Sequence, residues 1–241
     1  MAGVRRIYSG KEHEVEIDFF ESGLMTFCHE AKITFWEIKR FHELTESAWK
    51  QQDDDLQACL LKRLERIPEV HHDDYISSYG QDLHENQTLF PNIHRFSIVI
   101  SIHSYFEDTL NQLADLFEES VVNAQKYKSF KSKFKGSTIA SAKAYIEKVG
   151  KLDLACLDAN WEQIKKVNRL RNQLVHEAGF LPKPSEHEIN KYVIANDFLS
   201  GKPNSKVSIE PRFIDYYIEL IVTFFDGLDE EVTTFMQKQL A

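Results

Sequence analysis

The sequence predicts an all-α fold, and three observations carry that reading. Glycine and proline are scarce, 9 and 6 in 241 residues, and they cluster at a few places, so the elements between them are long. Apolar residues recur at three-to-four spacing through most of the chain, as helices with one buried face require. Hydrophobic residues make up 42% and charged residues 28%, an ordinary mixture for a globular chain with a sizeable core.

From residue 12 to about 48, a helix is predicted by the stripe of Ile17, Phe20, Leu24, Phe27, Cys28, Ala31, Phe35 and Ile38. A second helix, about 55–66, places Leu56, Cys59, Leu60 and Leu64 on one side and stops before Pro68. Residues 68–91 mix His, Asp, Ser, Gly and Asn without a period and read as a long loop. Pro91 then opens a helix to about residue 124, with Phe96, Ile100, His103, Leu110, Leu113 and Phe117 on its inner side. Residues 137–149 form a short helix ended by Gly150. Asp158 can cap a helix over 158–178. Its apolar side is Trp161, Ile164, Val167, Leu170, Leu174 and Ala178, and Gly179, Pro182 and Pro184 end it. Residues 192–195 and 206–209 are β-type runs flanking Gly201-Lys202-Pro203-Asn204, which suggests a small hairpin insert. A final helix spans about 211–239. The expected architecture is an antiparallel helical bundle over 91–241, with an additional helical region, 1–90, packed on or beside it.

Composition removes several function classes. No run approaches ~18 uninterrupted apolar residues, so no membrane span is expected. Residues 1–11 carry two arginines but no apolar core of a signal peptide. Cys28, Cys59 and Cys156 are far apart and odd in number, which suits a reducing compartment; the cytoplasm is the expectation. The net charge of -9 argues against whole-surface binding to nucleic acid. It leaves room for a local basic site, and Lys126, Lys128, Lys131, Lys133 and Lys135 crowd a segment that also holds Tyr127, Phe130 and Phe134. Lysines take phosphates and aromatics stack on bases, so Lys128, Lys131 and Lys133 are candidate RNA contacts. The plainer reading is a solvated, lysine-rich connection between helices.

Familiar catalytic motifs are missing. Gly-x-x-x-x-Gly-Lys-Ser/Thr does not occur, and no serine sits in a nucleophile elbow. His71-His72-Asp73-Asp74 is the dense cluster of metal-ligand types, but adjacent residues seldom converge on one ion, and it reads as a polar loop. No metal and no cofactor are expected.

What remains is Arg171-Asn172-Gln173-Leu174-Val175-His176. On a helix, Asn172 and His176 stand one turn apart on one side, and Arg169, two turns before His176, lies near that side. His176 points away from the apolar stripe and so faces water, a ligand or another subunit. Arg171 falls inside the stripe, between Leu170 and Leu174, where a guanidinium wants a carboxylate; Glu107 and Asp108 are the natural candidates. Otherwise its side chain snorkels to the surface.

Arg171-Asn172-x-x-x-His176 resembles the Arg-x4-6-His signature of the HEPN superfamily, including the polar residue after the arginine. The context is similar: a preceding helix with Ser104-Tyr105-Phe106-Glu107-x-x-Leu110, a motif near a helix end, and an apolar final helix. The resemblance covers roughly residues 91–240. It implies a metal-independent endoribonuclease that works as a homodimer on RNA, a defence or stress-response toxin, with an antitoxin or regulatory protein as a further partner. Arg171, His176, Asn172 and Glu107 are then the catalytic candidates, and Arg169 joins the lysines as an RNA contact. Members modified by a nucleotidyltransferase partner carry a tyrosine two residues after the histidine. Ala178 stands there in this chain, which puts that type of control in doubt. The chemistry fits the residue types: imidazole moves protons near neutral pH, and guanidinium offers a planar fork to phosphate oxygens. The alternative is a non-catalytic helical module that binds RNA or a partner protein. A third reading, a metal-dependent hydrolase built on residues 68–84, is weaker.

Overall fold

A computed structural model describes residues 2–8, 11–17, 19–121 and 123–240. The structure is mostly helical. Four long helices dominate it: α1 (Phe27–Leu64), α4 (Phe90–Ser120), α7 (Asp158–His176) and α9 (Pro211–Leu240). Between them lie the shorter α2 (His72–Ser78), α3 (Gly80–His84), α5 (Tyr127–Lys131), α6 (Thr138–Gly150) and α8 (Glu188–Ile194).

The N-terminal segment corrects the expectation of helix from residue 12. Strands β1 (Ala2–Tyr8) and β2 (Lys11–Ile17) pair antiparallel, with Ala2 opposite Ile17 and Tyr8 opposite Lys11. Glu14-Val15-Glu16-Ile17 alternates with the period of a strand, whereas the helical stripe belongs to the residues after Ile17.

Two predicted helices, 12–48 and 55–66, are one continuous α1 of 38 residues over their shared ground. The polar run Gln51–Asp55 looks like a break, but it is exposed and tied along the helix. Gln51 donates to Asp55 at 2.9 Å and Gln57 to Asp53 at 2.7 Å, both one turn apart. The segment 68–91, expected to be a loop, is helical as well: a 3-10 turn at Glu69–His71, then α2, α3 and a π-helical turn at Glu85–Leu89 that runs into α4. It buries few side chains, so no apolar stripe marked it. Local pairs one turn apart accompany it instead: the Tyr75 and Tyr79 hydroxyls meet at 3.2 Å, and Gln81 donates to Glu85 at 2.9 Å.

The hairpin insert is present with a different first strand. β3 (Leu199–Ser200) pairs with β4 (Ser208–Ile209), while residues 192–194 close α8. Tyr192 and Val193 are buried on a helix, where tertiary packing overrides their preference for strands. In α6, Gly150 is the last helical residue and Lys151 takes the left-handed turn at φ 51°. Glycine is needed there for space, since a Cβ would sit 2.6 Å from the Phe117 ring.

The chain packs as two compact units, each gathering stretches of all four long helices. Unit 1 comprises residues 1–36, 102–168 and 217–241. Its core is an aromatic cluster: Phe106 meets Phe224, Phe225 and Trp161 at ring separations of 5.7, 5.9 and 6.4 Å, and Phe35 joins through Phe225 at 5.9 Å. His103, buried among these rings, meets the Tyr217 hydroxyl at 2.6 Å. The contacts 103 to 217, 106 to 224 and 117 to 235 rise together, so α4 and α9 run parallel here. An all-antiparallel bundle does not describe that pair: the long excursion through α5 to α8 gives the chain length to return and run the same way again.

Unit 2 comprises residues 37–101 and 169–216. Ile98, Val99, Leu170, Leu174, Leu181, Ile189, Val207, Ile209, Phe213 and Ile214 are buried there. Contacts of 42 with 94 and 49 with 90 show α1 antiparallel to α4. His42 and His94 are inner polar members of this unit. Burial holds both imidazoles below their ordinary value of about 6.5; Glu46, Pro211 and Asp215 oppose that shift at His42, and Arg95 adds to it. The unfolded chain therefore binds protons in acid that the folded chain refuses, so stability is present above about pH 6.5 and is lost as pH falls below it. Urea unfolding at pH 7.5 and 5.5 is expected to show a lower midpoint in acid, and His94→Gln is expected to flatten that difference.

Candidate site at the end of helix α7

Leu170 and Leu174 are buried, which fixes the rotation of α7 and turns Asn172 and His176 outward to solvent. Arg171 is divided between the two environments. Its Nη1 donates to the Asn172 side-chain oxygen at 3.1 Å near the surface, while its Nε is buried with no hydrogen-bond partner among the described residues. An unsatisfied buried donor of this kind costs free energy.

His176 closes the helix against a built frame. The amides of Glu177 and Gly179 both donate to the Gln173 carbonyl at 3.1 Å, and the Gln173 side chain donates to the Phe180 carbonyl. Ala178 and Gly179 take left-handed conformations, φ 50° and 80°, so α7 ends at His176, two residues before the predicted end, and Ala178 is exposed rather than on the apolar side. The chain is then clamped to the hairpin: Val207 N donates to Gly179 O at 2.9 Å and Leu181 N to Ser205 O at 2.8 Å. Glycine at 179 is required twice, by its φ and by space, since a Cβ there would lie 2.6 Å from the Phe96 ring. Gly179→Ala is expected to cost about 1–3 kcal/mol in denaturant unfolding. Gly80→Ala, in helix α3 with nothing within 4 Å of its Cβ position, is the control expected to be neutral or stabilising.

Beside this frame unit 2 holds a cleft of 610 Å³. Leu89, Ile93 and Phe96 give it an apolar wall, and His84, Asn92 and Lys206 bring polar groups to it. Ala178, two residues past the motif, lines it too, whereas Arg171, Asn172 and His176 do not. No spacing in the sequence announced this cleft, because its walls come from the helices on either side of Phe90 and from the hairpin.

The other predicted residues fall elsewhere. Arg169, exposed on α7 in unit 2, is ion-paired with Glu188. Glu107, Lys128, Lys131 and Lys133 belong to unit 1. Glu107 is half-buried, and its backbone carbonyl accepts from Asn111 at 2.7 Å. In the lysine-rich segment Tyr127 is buried and committed to the core, so it cannot stack on a base, while Phe130 and Phe134 are half-buried and Phe130 packs on Tyr145 at 5.4 Å. Lys131 donates to the Asn111 side chain at 3.0 Å, whereas Lys128 and Lys133 are exposed.

Among the described residues, His42, Glu46 and His94 have metal-ligand atoms that converge; His71, His72, Asp73 and Asp74 do not form such a group. No helix of the described residues is long and apolar enough to cross a membrane. No family model, curated protein or solved structure matches the chain.

Proposed function

We propose that this chain is a HEPN-type endoribonuclease that cleaves RNA by attack of the 2′-hydroxyl, without a metal in the chemical step. The end of α7 supports this: His176 is exposed, with Asn172 one turn before it and bonded to the Arg171 guanidinium.

In this mechanism an imidazole takes the proton from the 2′-hydroxyl. That oxygen attacks the adjacent phosphorus, and the bond from phosphorus to the 5′-oxygen breaks. The leaving oxygen receives a proton, so the products are a 2′,3′-cyclic phosphate and a 5′-hydroxyl. Arg171 holds the non-bridging phosphate oxygens as charge builds on them, and Asn172 fixes the direction of its fork. One imidazole as base and a second as acid are supplied when two copies meet about a two-fold axis, which is the homodimer proposed. Val175 and Phe180, exposed large apolar residues flanking His176, give a second copy something to cover. The cleft at Ala178 suits a nucleobase against Ile93 and Phe96, with Lys206 at its phosphate. Arg171 forms no ion pair among the described residues and Glu107 is not its partner, whereas Arg169, Lys128, Lys131 and Lys133 as RNA contacts belong to the same proposal. So does a cytoplasmic defence or stress-response toxin under the control of an antitoxin or regulatory protein.

The second reading is a non-catalytic module that binds RNA or a partner protein, favoured by the net charge of -9 and by the same exposed Val175 and Phe180. Incubating the purified chain with total RNA, beside an Arg171→Ala/His176→Ala double variant, separates the two. Cleavage that disappears in the double variant supports the nuclease, and intact RNA in both samples leaves the module.

A further inference from the structure

His42 lies on α1 and His94 on α4, 52 positions apart in the chain, yet their ring nitrogens Nδ1 and Nε2 are 3.1 Å apart. Their ring planes differ by 8° with centroids 5.3 Å apart, so the rings meet edge to edge, nitrogen toward nitrogen. Glu46, one turn beyond His42, places Oε1 4.0 Å from the same Nδ1, and one ligand atom from each of the three residues lies within 4.8 Å of the others.

The surroundings settle which lone pairs face this point. The other ring nitrogen of His42, Nε2, lies 3.3 Å from the Pro211 carbonyl oxygen. A carbonyl only accepts, so Nε2 carries the hydrogen and Nδ1 presents its lone pair inward. Metal-bound histidines are oriented by just such a bond from the remote nitrogen to a backbone carbonyl. Glu46 is held in turn by Arg95, whose Nε and Nη2 donate to its two oxygens at 2.8 and 2.7 Å, and Arg95 Nη1 donates to the Ile209 carbonyl at 3.0 Å. A carboxylate has about four acceptor sites, so two remain open after the fork is satisfied.

We propose that His42, Glu46 and His94 bind one divalent transition-metal ion of the zinc type, which joins α1 to α4 within unit 2. Two imidazoles and a carboxylate are donors that suit zinc, cobalt or nickel over magnesium or calcium. Tetrahedral bonds of ~2.0–2.1 Å set neighbouring ligand nitrogens roughly 3.3 Å apart, close to the separation already present. In the metal-free pair the hydrogen on His94 Nε2 bridges to His42 Nδ1. The ion takes that place, His94 carries its hydrogen on Nδ1 instead, and no net proton leaves. The rings tilt to bring both lone pairs onto the ion, a motion that half-buried His94 can make. Three protein ligands leave a position for water. The site shares no residue with the α7 motif and does not depend on the nuclease reading.

The test uses the full chain, stripped with EDTA, dialysed and titrated with cobalt(II). One equivalent is expected to bind, with visible ligand-field bands that zinc(II) abolishes and excess magnesium(II) leaves unchanged, and with a melting temperature that rises with free metal. His94→Ala, at a half-buried position that tolerates loss, is expected to abolish the bands. Glu46→Gln is expected to weaken binding at least about tenfold, and exposed His71→Ala to bind like the parent. No saturable cobalt binding by the parent chain, equal binding by His94→Ala, or loss of binding in His71→Ala overturns the proposal. Because the readout is cobalt absorption and melting, it is independent of whether the chain cleaves RNA.

Discussion

His176→Ala is expected to lower the rate of RNA cleavage by ~10²–10⁴-fold, the range that general acid–base catalysis supplies. The variant is also expected to melt with the parent. His176 is exposed at the last position of α7, and the frame behind it is made by backbone groups of Gln173, Glu177 and Gly179 that the substitution leaves in place. Loss of rate without loss of stability is what a reacting imidazole predicts. A variant that melts early and loses activity in proportion would instead mark His176 as structural. A variant that cleaves like the parent would leave the interaction-module reading ahead.

The second large effect is expected at Arg171. Removal of one well-placed donor to a developing anionic oxygen typically costs ~10²–10³ in rate. Arg171→Ala should show a loss of that size, and Arg171→Lys should recover little of it. Lysine restores the charge but not the planar fork, and it cannot keep the bond to Asn172 while holding two phosphate oxygens. Stability is expected to move the other way. Arg171 Nε is buried without a partner, so Arg171→Met, similar in length and free of that donor, should unfold at equal or higher denaturant concentration while its activity stays low. A site that gains stability as it loses rate is arranged for function. Parallel loss of both in Arg171→Met would assign the guanidinium to the fold.

Much of the helical architecture was legible because burial writes a period into the sequence. Leu170 and Leu174 are buried, Asn172 and His176 are exposed, and the wheel drawn from the sequence put each where the structure has it. Arg171, placed by the wheel inside the apolar stripe, has its Nε buried. Reading failed where burial is slight or chain separation is large. Residues 69–89 are helical with scarcely a buried side chain, so no period betrayed them. Between the predicted helices 12–48 and 55–66, a polar stretch of α1 carries no apolar stripe to show that the helix continues. At Tyr127 the sequence offered two uses for an aromatic beside lysines, and the core claimed it. The meeting of His42 with His94 could be half seen, since His42 and Glu46 share one helical face; their partner on α4 is brought by packing alone. The cleft beside Ala178 shows the same limit, being assembled from segments that no local rule connects.

The central claim is that His176 and Arg171 cut RNA through its own 2′-hydroxyl. It is tested most directly by end-group analysis of an RNA oligonucleotide incubated with the purified chain in excess EDTA, beside the same oligonucleotide carrying a single 2′-deoxy residue at the cut position. Fragments ending in 2′,3′-cyclic phosphate and 5′-hydroxyl are expected from the first, and no cut at that position in the second. Cleavage that requires added magnesium, fragments with a 5′-phosphate, or cutting at the deoxy position would contradict it.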